Sequence, residues 1–372
     1  MKTVLISGAS IAGPTLAYWL AKNGYRPTLI ERAPAPRPGG QAIDIRGAAL
    51  TVADRMGILE DARRQRTQMK GMSVIDADGT EVWRSEERTF TGGKFDAGDV
   101  EILRDDLAAL LLDRARPGTE LIYGDSITGL RDDDDGIVAE FEHAAARRFD
   151  LVIGADGIHS RVRKLTFGAE SQFLFPLGVA LAVYSAPNTL DLKDWQIAHQ
   201  DETSGFILYT ARENTQLRVG LGFAAGLEQE HRGDLQAQMT LVAERSSHFR
   251  WKIPELLKAM WSAPDFYLGV MAQVRMDNWS KGRVALIGDA GYCPTPFSGQ
   301  GTSLAMVGAY VLAQELGRTP DDHAAAFAGT EQKMRPYVLK NQALATLDRS
   351  SDRSLLDAAL ENAKNAIDLA SV

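Results

Sequence analysis

Apolar residues form a short unbroken run in "TVLISGAS", and the pattern predicts a buried strand over Val4–Ser7 entering a glycine turn. In "IAGPTLAYWLAKNG" they recur at helical spacing, and Gly24 supplies a C-terminal stop. "RPTLIER" predicts a second short strand. Strand, glycine turn, helix and strand in that order open a doubly wound parallel sheet. "PAPRPGGQ" (34–41) breaks the pattern as a loop, and "AALTVADRMGILEDARRQ" resumes it as an amphipathic helix. "MSVIDADGTEVWR" alternates on both sides of Asp78-Gly79, the residues of a tight hairpin.

Further along, "EILRDDLAALLLDRA" places Leu103, Leu107, Leu110 and Leu111 on one helical face. "DSITGLRDDDDGIVAEFEH" predicts another hairpin, and "DLVIGADGIHSRVRKL" a buried strand, a glycine turn and a basic helix. From about 171 to 275 the pattern changes. "LGVALAVYS", "GFILYTA", "QLRVGLGFAA" and "FYLGVMAQVRM" predict strands, with helical spacing at 234–247 and 254–262. This is the pattern of a second, mainly antiparallel sheet. "GRVALIGDAG" returns to a buried strand, and residues 302–316 and 322–370 predict helices.

The composition is that of an ordinary globular enzyme, with 45% hydrophobic and 24% charged residues in 372. A net charge of −8 argues against a nucleic-acid partner and against an anionic membrane surface. Cys293 is the single cysteine, so no disulfide framework forms, which fits a reducing cytoplasm. The apolar stretch 3–21 is interrupted by Gly8, Gly13 and Pro14 and closed by Lys22, which suits a strand–turn–helix better than a secretion signal. No other run approaches the ~20 apolar residues of a membrane helix.

Candidate chemistry begins at "GASIAG", Gly8–Gly13, with Ser10 at the middle position of a G-x-G-x-x-G pattern. The first glycine makes a tight turn, and the last lets helix and strand pack closely. Amides at the helix N-terminus attract pyrophosphate. Glu31, at the end of the second strand, stands where an acid can bond ribose hydroxyls. The bland alternative is a glycine-rich turn alone. A nucleophile elbow fails because position 12 is Ala12, and Tyr18 and Lys22, spaced like a dehydrogenase pair, lie in the first helix. Asp132–Asp135 lacks the spacing of a calcium loop, and no metal site is expected.

Three later stretches extend this reading: Arg104 in "EILRDDL", Asp156-Gly157 in "GADGIHSR", and "GDAGYCPTPFSGQG" over 288–301. With "GASIAG" and Glu31, they make residues 1–320 resemble the group A flavoprotein monooxygenases, the para-hydroxybenzoate hydroxylase-like family. Within it the chain is most similar to the smaller tetracycline-inactivating enzymes. The resemblance implies an α/β fold: a Rossmann-like FAD-binding domain over 1–68, 101–170 and 276–320. An inserted antiparallel substrate domain would cover 69–100 and 171–275, with C-terminal helices over 321–372.

It also implies roles. Gly8, Ser10, Ile11, Ala12, Gly13 and Glu31 would hold the ADP part of FAD, with Arg32 and Arg46 as further contacts. Arg104 would meet the phosphates or ribityl chain. Asp156-Gly157 would support FAD and NAD(P)H use. Asp289, after Gly288, would bond a ribityl hydroxyl. Gly299, Gln300, Gly301 and Thr302 would bring amides to the pyrimidine edge, and Pro296 would stiffen the wall. Tyr292, Thr295 and Ser303 depart from the family's His, Pro and Asn.

The implied reaction takes NADPH or NADH and O2, forms a hydroperoxide at flavin C4a, and hydroxylates an aromatic or polycyclic, polyketide-like small molecule. Baeyer–Villiger insertion, a dehydrogenase or halogenase, and a non-catalytic ligand carrier are the alternatives. The W-x-W-x-I-P motif of flavin halogenases is absent. Strand alternation pairs a bulky with a small face in both "VALAVY" and "LRVGLGF". One reading makes the small faces a pocket floor, with Ala180, Ala182, Tyr184, Arg218 and Gly220, and Phe297 beside it. The other makes the alternation simple packing against helices. A monomer is compatible with all of this.

Overall fold

The computed structural model describes residues 1–94, 98–347 and 353–371. Its first sheet has six strands in the order Ser280–Lys281, Val284–Leu286, Leu151–Gly154, Thr3–Ser7, Arg26–Glu31 and Glu120–Tyr123. All neighbours are parallel except the hairpin at the Ser280 edge. Thr3–Ser7 lies at its centre, and Val4, Leu5 and Ile6 are fully buried, as the unbroken apolar run requires. Helix Ala12–Lys22 packs against both Arg104–Ala115 and Gly301–Arg318. That packing sets the glycine turn beside the start of a helix some 290 residues later.

The second sheet has seven strands, in the order Tyr267–Val274, Leu174–Pro187, Gln216–Ala224, Ser204–Ala211, Gln196–Gln200, Met72–Ile75 and Glu81–Ser85. It is antiparallel apart from the Gln196–Gln200 and Met72–Ile75 pair. Helices Leu235–Ser246 and Ile253–Met260 bury Met239, Val242, Ile253, Leu256 and Met260 against one face. A three-stranded meander, Ile127–Asp133, Gly136–Phe141 and Arg147–Phe149, covers part of the first sheet.

One detail differs from the sequence expectations. The single helix expected over 48–65 is two, Ala48–Arg55 and Leu59–Arg64. Gly57 separates them with a φ of 70°, a conformation that favours glycine and ends a helix. The C-terminal stretch folds back as His323–Ala343 and Arg353–Lys364. Lys364 is buried there and pairs with Asp99 at 3.1 Å. Residues 348–352 and 372 of the expected C-terminal helical region lie outside the described residues.

Candidate active site

Gly8 closes the first strand with a φ of 105°. A Cβ there would lie 2.4 Å from the Ala155 carbonyl oxygen, and one on Gly13 would lie 1.9 Å from that of Gly8. Both glycines are therefore required by close backbone approach. Ile11 caps helix Ala12–Lys22 without a side-chain hydrogen bond, and its first turn holds no acid. The positive end of the helix is left free for an anion. Ser10 receives a hydrogen bond from Arg104 Nη1 at 3.3 Å. Arg104 Nη2 also donates to the carbonyls of Arg37 and Gly39. Burial lowers the Arg104 pKa, yet a guanidinium keeps its charge at neutral pH. Glu31 accepts from the Ala9 and Ala33 amides, each at 3.0 Å. Arg32 is exposed beside it.

Asp156 is hydrogen-bonded by the Ser160 hydroxyl at 2.5 Å, the Arg161 and Val162 amides and Ser7 Oγ. It thus ties the end of the central strand to the turn at Gly157, whose φ is 82°. Burial raises its pKa, against those hydrogen bonds. Sequence reasoning missed Arg163. It is fully buried, and it donates to the Ala290 carbonyl at 2.9 Å and the Ile158 carbonyl at 2.6 Å. It joins the Asp156 turn to the Asp289 segment. His159 has one ring nitrogen 3.0 Å from Glu170 and the other 3.3 Å from Glu230.

Gly288 has a φ of 60° and leads into Asp289. Burial raises the Asp289 pKa and a hydrogen bond to Cys293 lowers it, although the residue keeps some accessible surface. Thr295, at a φ of 74°, accepts from the Phe297 amide at 3.0 Å and opens the turn Pro296–Ser298. Gly299 follows in the left-handed region, then Gln300 caps helix Gly301–Arg318, again with no side-chain cap bond and no acid in the first turn. A Cβ on Gly299 would lie 3.8 Å from the Arg46 guanidinium carbon. Arg46 pairs with Asp44 at 2.9 Å, and its amide donates to Ser303 Oγ at 3.1 Å.

Three fully or nearly fully buried side chains here hold polar atoms without partners: both amide atoms of Gln300, Arg46 Nε and Asp44 Oδ1. Native interiors rarely tolerate this. The arrangement asks for an anion at the first uncapped helix and a heterocycle rich in donors and acceptors at the second. FAD fits both.

The FAD binding domain family model matches residues 1–326. An uncharacterized protein of Mycobacterium tuberculosis is 48% identical, covering 93% of this chain and 93% of its own. A flavin-dependent monooxygenase of an unknown prokaryote is 39% identical over 92% of this chain and 88% of its own. The crystal structure of the tetracycline destructase Tet(55) superposes with a TM-score of 0.88 at 35% identity, over 99% of this chain and 98% of that one. The chain is a flavin-dependent monooxygenase of this family.

In this monooxygenase, the expected cofactor residues from Gly8 to Glu31, with Arg104, form one group, and Arg46, Asp289 and 296–302 form another. Among the described residues no helix is long and apolar enough to cross a membrane, and no cluster of ligating side chains could hold a metal ion.

The expected pocket floor needs correction. Register pairs Ala180 with Phe223, Ala182 with Leu221 and Tyr184 with Val219. The small face of one strand thus shares a side with the bulky face of the next. Ala180, Ala182 and Tyr184 lie under the helices, and the Tyr184 hydroxyl donates to the Leu256 carbonyl at 3.1 Å. Arg218 and Gly220 occupy the opposite, cleft-facing side. Arg218 is buried and ties the seven-stranded sheet to the loop before Ala42, donating to the Gly40 carbonyl at 3.1 Å.

Proposed function

We propose that this monooxygenase uses NAD(P)H and O2 to hydroxylate an aromatic or polycyclic small molecule held between residues 296–300 and the cleft face of the seven-stranded sheet. The observation that carries the reading is the buried Gln300 amide with no partner, beside an uncapped helix start. Such a group costs stability until a polar partner completes it, and a polar heterocycle supplies one.

FAD supplies hydride acceptance and oxygen activation when bound. The residues do the rest. Gly8, Gly13 and the first helix bind the pyrophosphate, with Arg104 beside them. Glu31 takes the ribose, and Asp289 a ribityl hydroxyl. The start of helix Gly301–Arg318 stabilises negative charge at the pyrimidine edge. Pro296 and Phe297 wall the site and exclude water. Overall, substrate, NAD(P)H, a proton and O2 give hydroxylated substrate, NAD(P)+ and water.

The test is direct. The purified protein is expected to be yellow, and to consume NADPH or NADH and O2 in step with a product 16 mass units heavier, one oxygen atom, across an aromatic panel. Protein unable to take up FAD overturns the reading. Coenzyme oxidation without an oxygenated product favours a dehydrogenase.

A further inference from the structure

Thr295 holds a backbone conformation that few residues besides glycine adopt. Its φ is 74° and its ψ 156°, an outlier for a β-branched side chain. Pro296 follows, and the residue before a proline is pressed toward extended geometry with negative φ. The proline of the family pattern at this position, with φ fixed at about −65°, could not take this conformation. Strain of this kind persists only where the surroundings hold it.

The bonds that follow Thr295 shape the turn. Its hydroxyl accepts from the Phe297 amide at 3.0 Å, and its carbonyl from the Ser298 amide at 3.1 Å and Ser298 Oγ at 2.9 Å. The anchor comes before it, from two buried glutamines. Gln342 sits in the last turn of helix His323–Ala343. Its Nε2 donates to the Val274 carbonyl at 2.8 Å and to the Cys293 carbonyl at 3.2 Å. It thus joins the end of strand Tyr267–Val274 to the segment entering Thr295.

Gln273, fully buried on that strand, donates from Nε2 to the Gln342 carbonyl at 2.7 Å and to the Pro294 carbonyl at 3.4 Å. Its Oε1 is taken by Arg275 Nε and Nη2, which turns the NH2 toward the helix end and the loop. The Gln342 carbonyl is one of those that a helix leaves open at its C-terminus. Strand, helix end and loop are therefore bonded as one unit. The short turn Leu344–Thr346, just beyond, packs against Pro296–Ser298.

We propose that Gln342 is a positioning residue for the flavin: it clamps Cys293 and, with Gln273, Pro294, and so holds the strained Thr295 turn that sets Pro296 and the amides of 299–301 against the ring. Released, Thr295 would relax toward extended geometry. Pro296 and the start of helix Gly301–Arg318 would then turn away from the pyrimidine edge. This rests on the flavin placement proposed above and adds what fixes it from the C-terminal helices.

The experiment measures the two-electron midpoint potential of bound FAD, by reduction against a reference dye, in wild type, Gln342→Met, Thr295→Gly and the double variant. Gln342→Met keeps the volume and removes the donor. It should lower the midpoint by about 30 mV, a tenfold loss of preference for reduced over oxidised flavin. The positive helix end no longer faces the charge. Thr295→Gly should keep the wild-type midpoint, because glycine adopts this conformation freely. In the double variant the turn has no strain to release, so the midpoint should return to that of wild type. A packing defect alone would not be undone by a change at Thr295. A Gln342→Met midpoint that is unchanged or raised overturns the proposal and leaves the monooxygenase reading standing. So does a Thr295→Gly or double variant as low as Gln342→Met. A Gln342→Met protein that neither folds alone nor is restored by Thr295→Gly also overturns it, since the glutamine then holds more than this turn. Protein that takes up no FAD overturns both readings.

Discussion

The Glu31 carboxylate accepts a hydrogen bond from the Ala9 amide at 3.0 Å, tying the acid at the end of the second strand to the turn after the first. The same carboxylate holds the Ala33 amide. Glu31 therefore shapes the glycine turn, and in the proposed function it also presents an acceptor to the ribose of FAD. Hydrogen bonds to a charged group contribute about 1.5–3 kcal/mol each. Glu31→Ala should weaken FAD by about 10- to 100-fold, read by flavin fluorescence quenching on titrating FAD-free protein. Undiminished affinity would remove Glu31 from the cofactor site.

Gln300 should behave in the opposite sense in the two states of the protein. Its side chain is fully buried and both amide atoms lack partners. An unsatisfied buried polar group costs about 1–3 kcal/mol. Gln300→Met keeps the volume and removes that cost. FAD-free protein should unfold at a higher temperature in the variant, while FAD binds more weakly. A variant that destabilises the FAD-free protein would show that the amide is already satisfied there.

Much of this arrangement is legible along the chain, and the reason is local. The apolar run at Val4–Ile6 and the helical spacing after Gly13 each specify an element within a few residues. What escaped depends on distant pairing. Alternation shows that Ala180, Ala182 and Tyr184 share a face, but not that Phe223, Leu221 and Val219 join them there. Strand register is a property of two segments, set by what each face packs against. Arg163 escaped for a related cause. In "SRVRKL" it reads as one more surface charge, and only the Ala290 and Ile158 carbonyls explain its burial. Gly57 was a readable helix stop inside a pattern that otherwise kept its period.

Tyr292, where the family pattern has histidine, is explained by its partner across the core. Its ring lies 4.6 Å from that of Trp279, and its hydroxyl is buried without a hydrogen bond. A Cβ on Gly308 would stand 1.9 Å from that hydroxyl oxygen. The phenol fills a notch that only glycine leaves. Gly308→Ala should destabilise by about 1–3 kcal/mol through overpacking. Tyr292→Phe should be neutral or stabilising, since it removes an unpartnered hydroxyl. The double variant should recover much of the loss, because the clash is between these two groups. Urea unfolding of the four proteins measures the cycle; strictly additive losses would separate the two residues.

Asp44 sets a pH dependence whose sign can be worked out. Burial raises its pKa to about 7, outweighing the Arg46 guanidinium that lowers it, and Glu101 and Asp99 raise it further. Those are the charged groups facing it, with Lys364 beyond Asp99. An unfolded aspartate titrates near ~3.9. The folded protein therefore binds the proton more tightly than the unfolded chain. The stability from this group is complete below about pH 4 and is lost as pH rises through about 7. Glu101 and Asp289 are shifted upward by burial as well and act in the same direction. Asp201 and Glu230 are shifted downward, so their contributions change at lower pH, around and below the ordinary carboxylate range. Between pH 5 and 8 the resistance of FAD-free protein to urea should fall. Asp44→Asn, which cannot ionise, should flatten that fall without abolishing it. A variant whose stability declines as steeply as wild type over this window would show that Asp44 keeps its charge in the fold, balanced by Arg46.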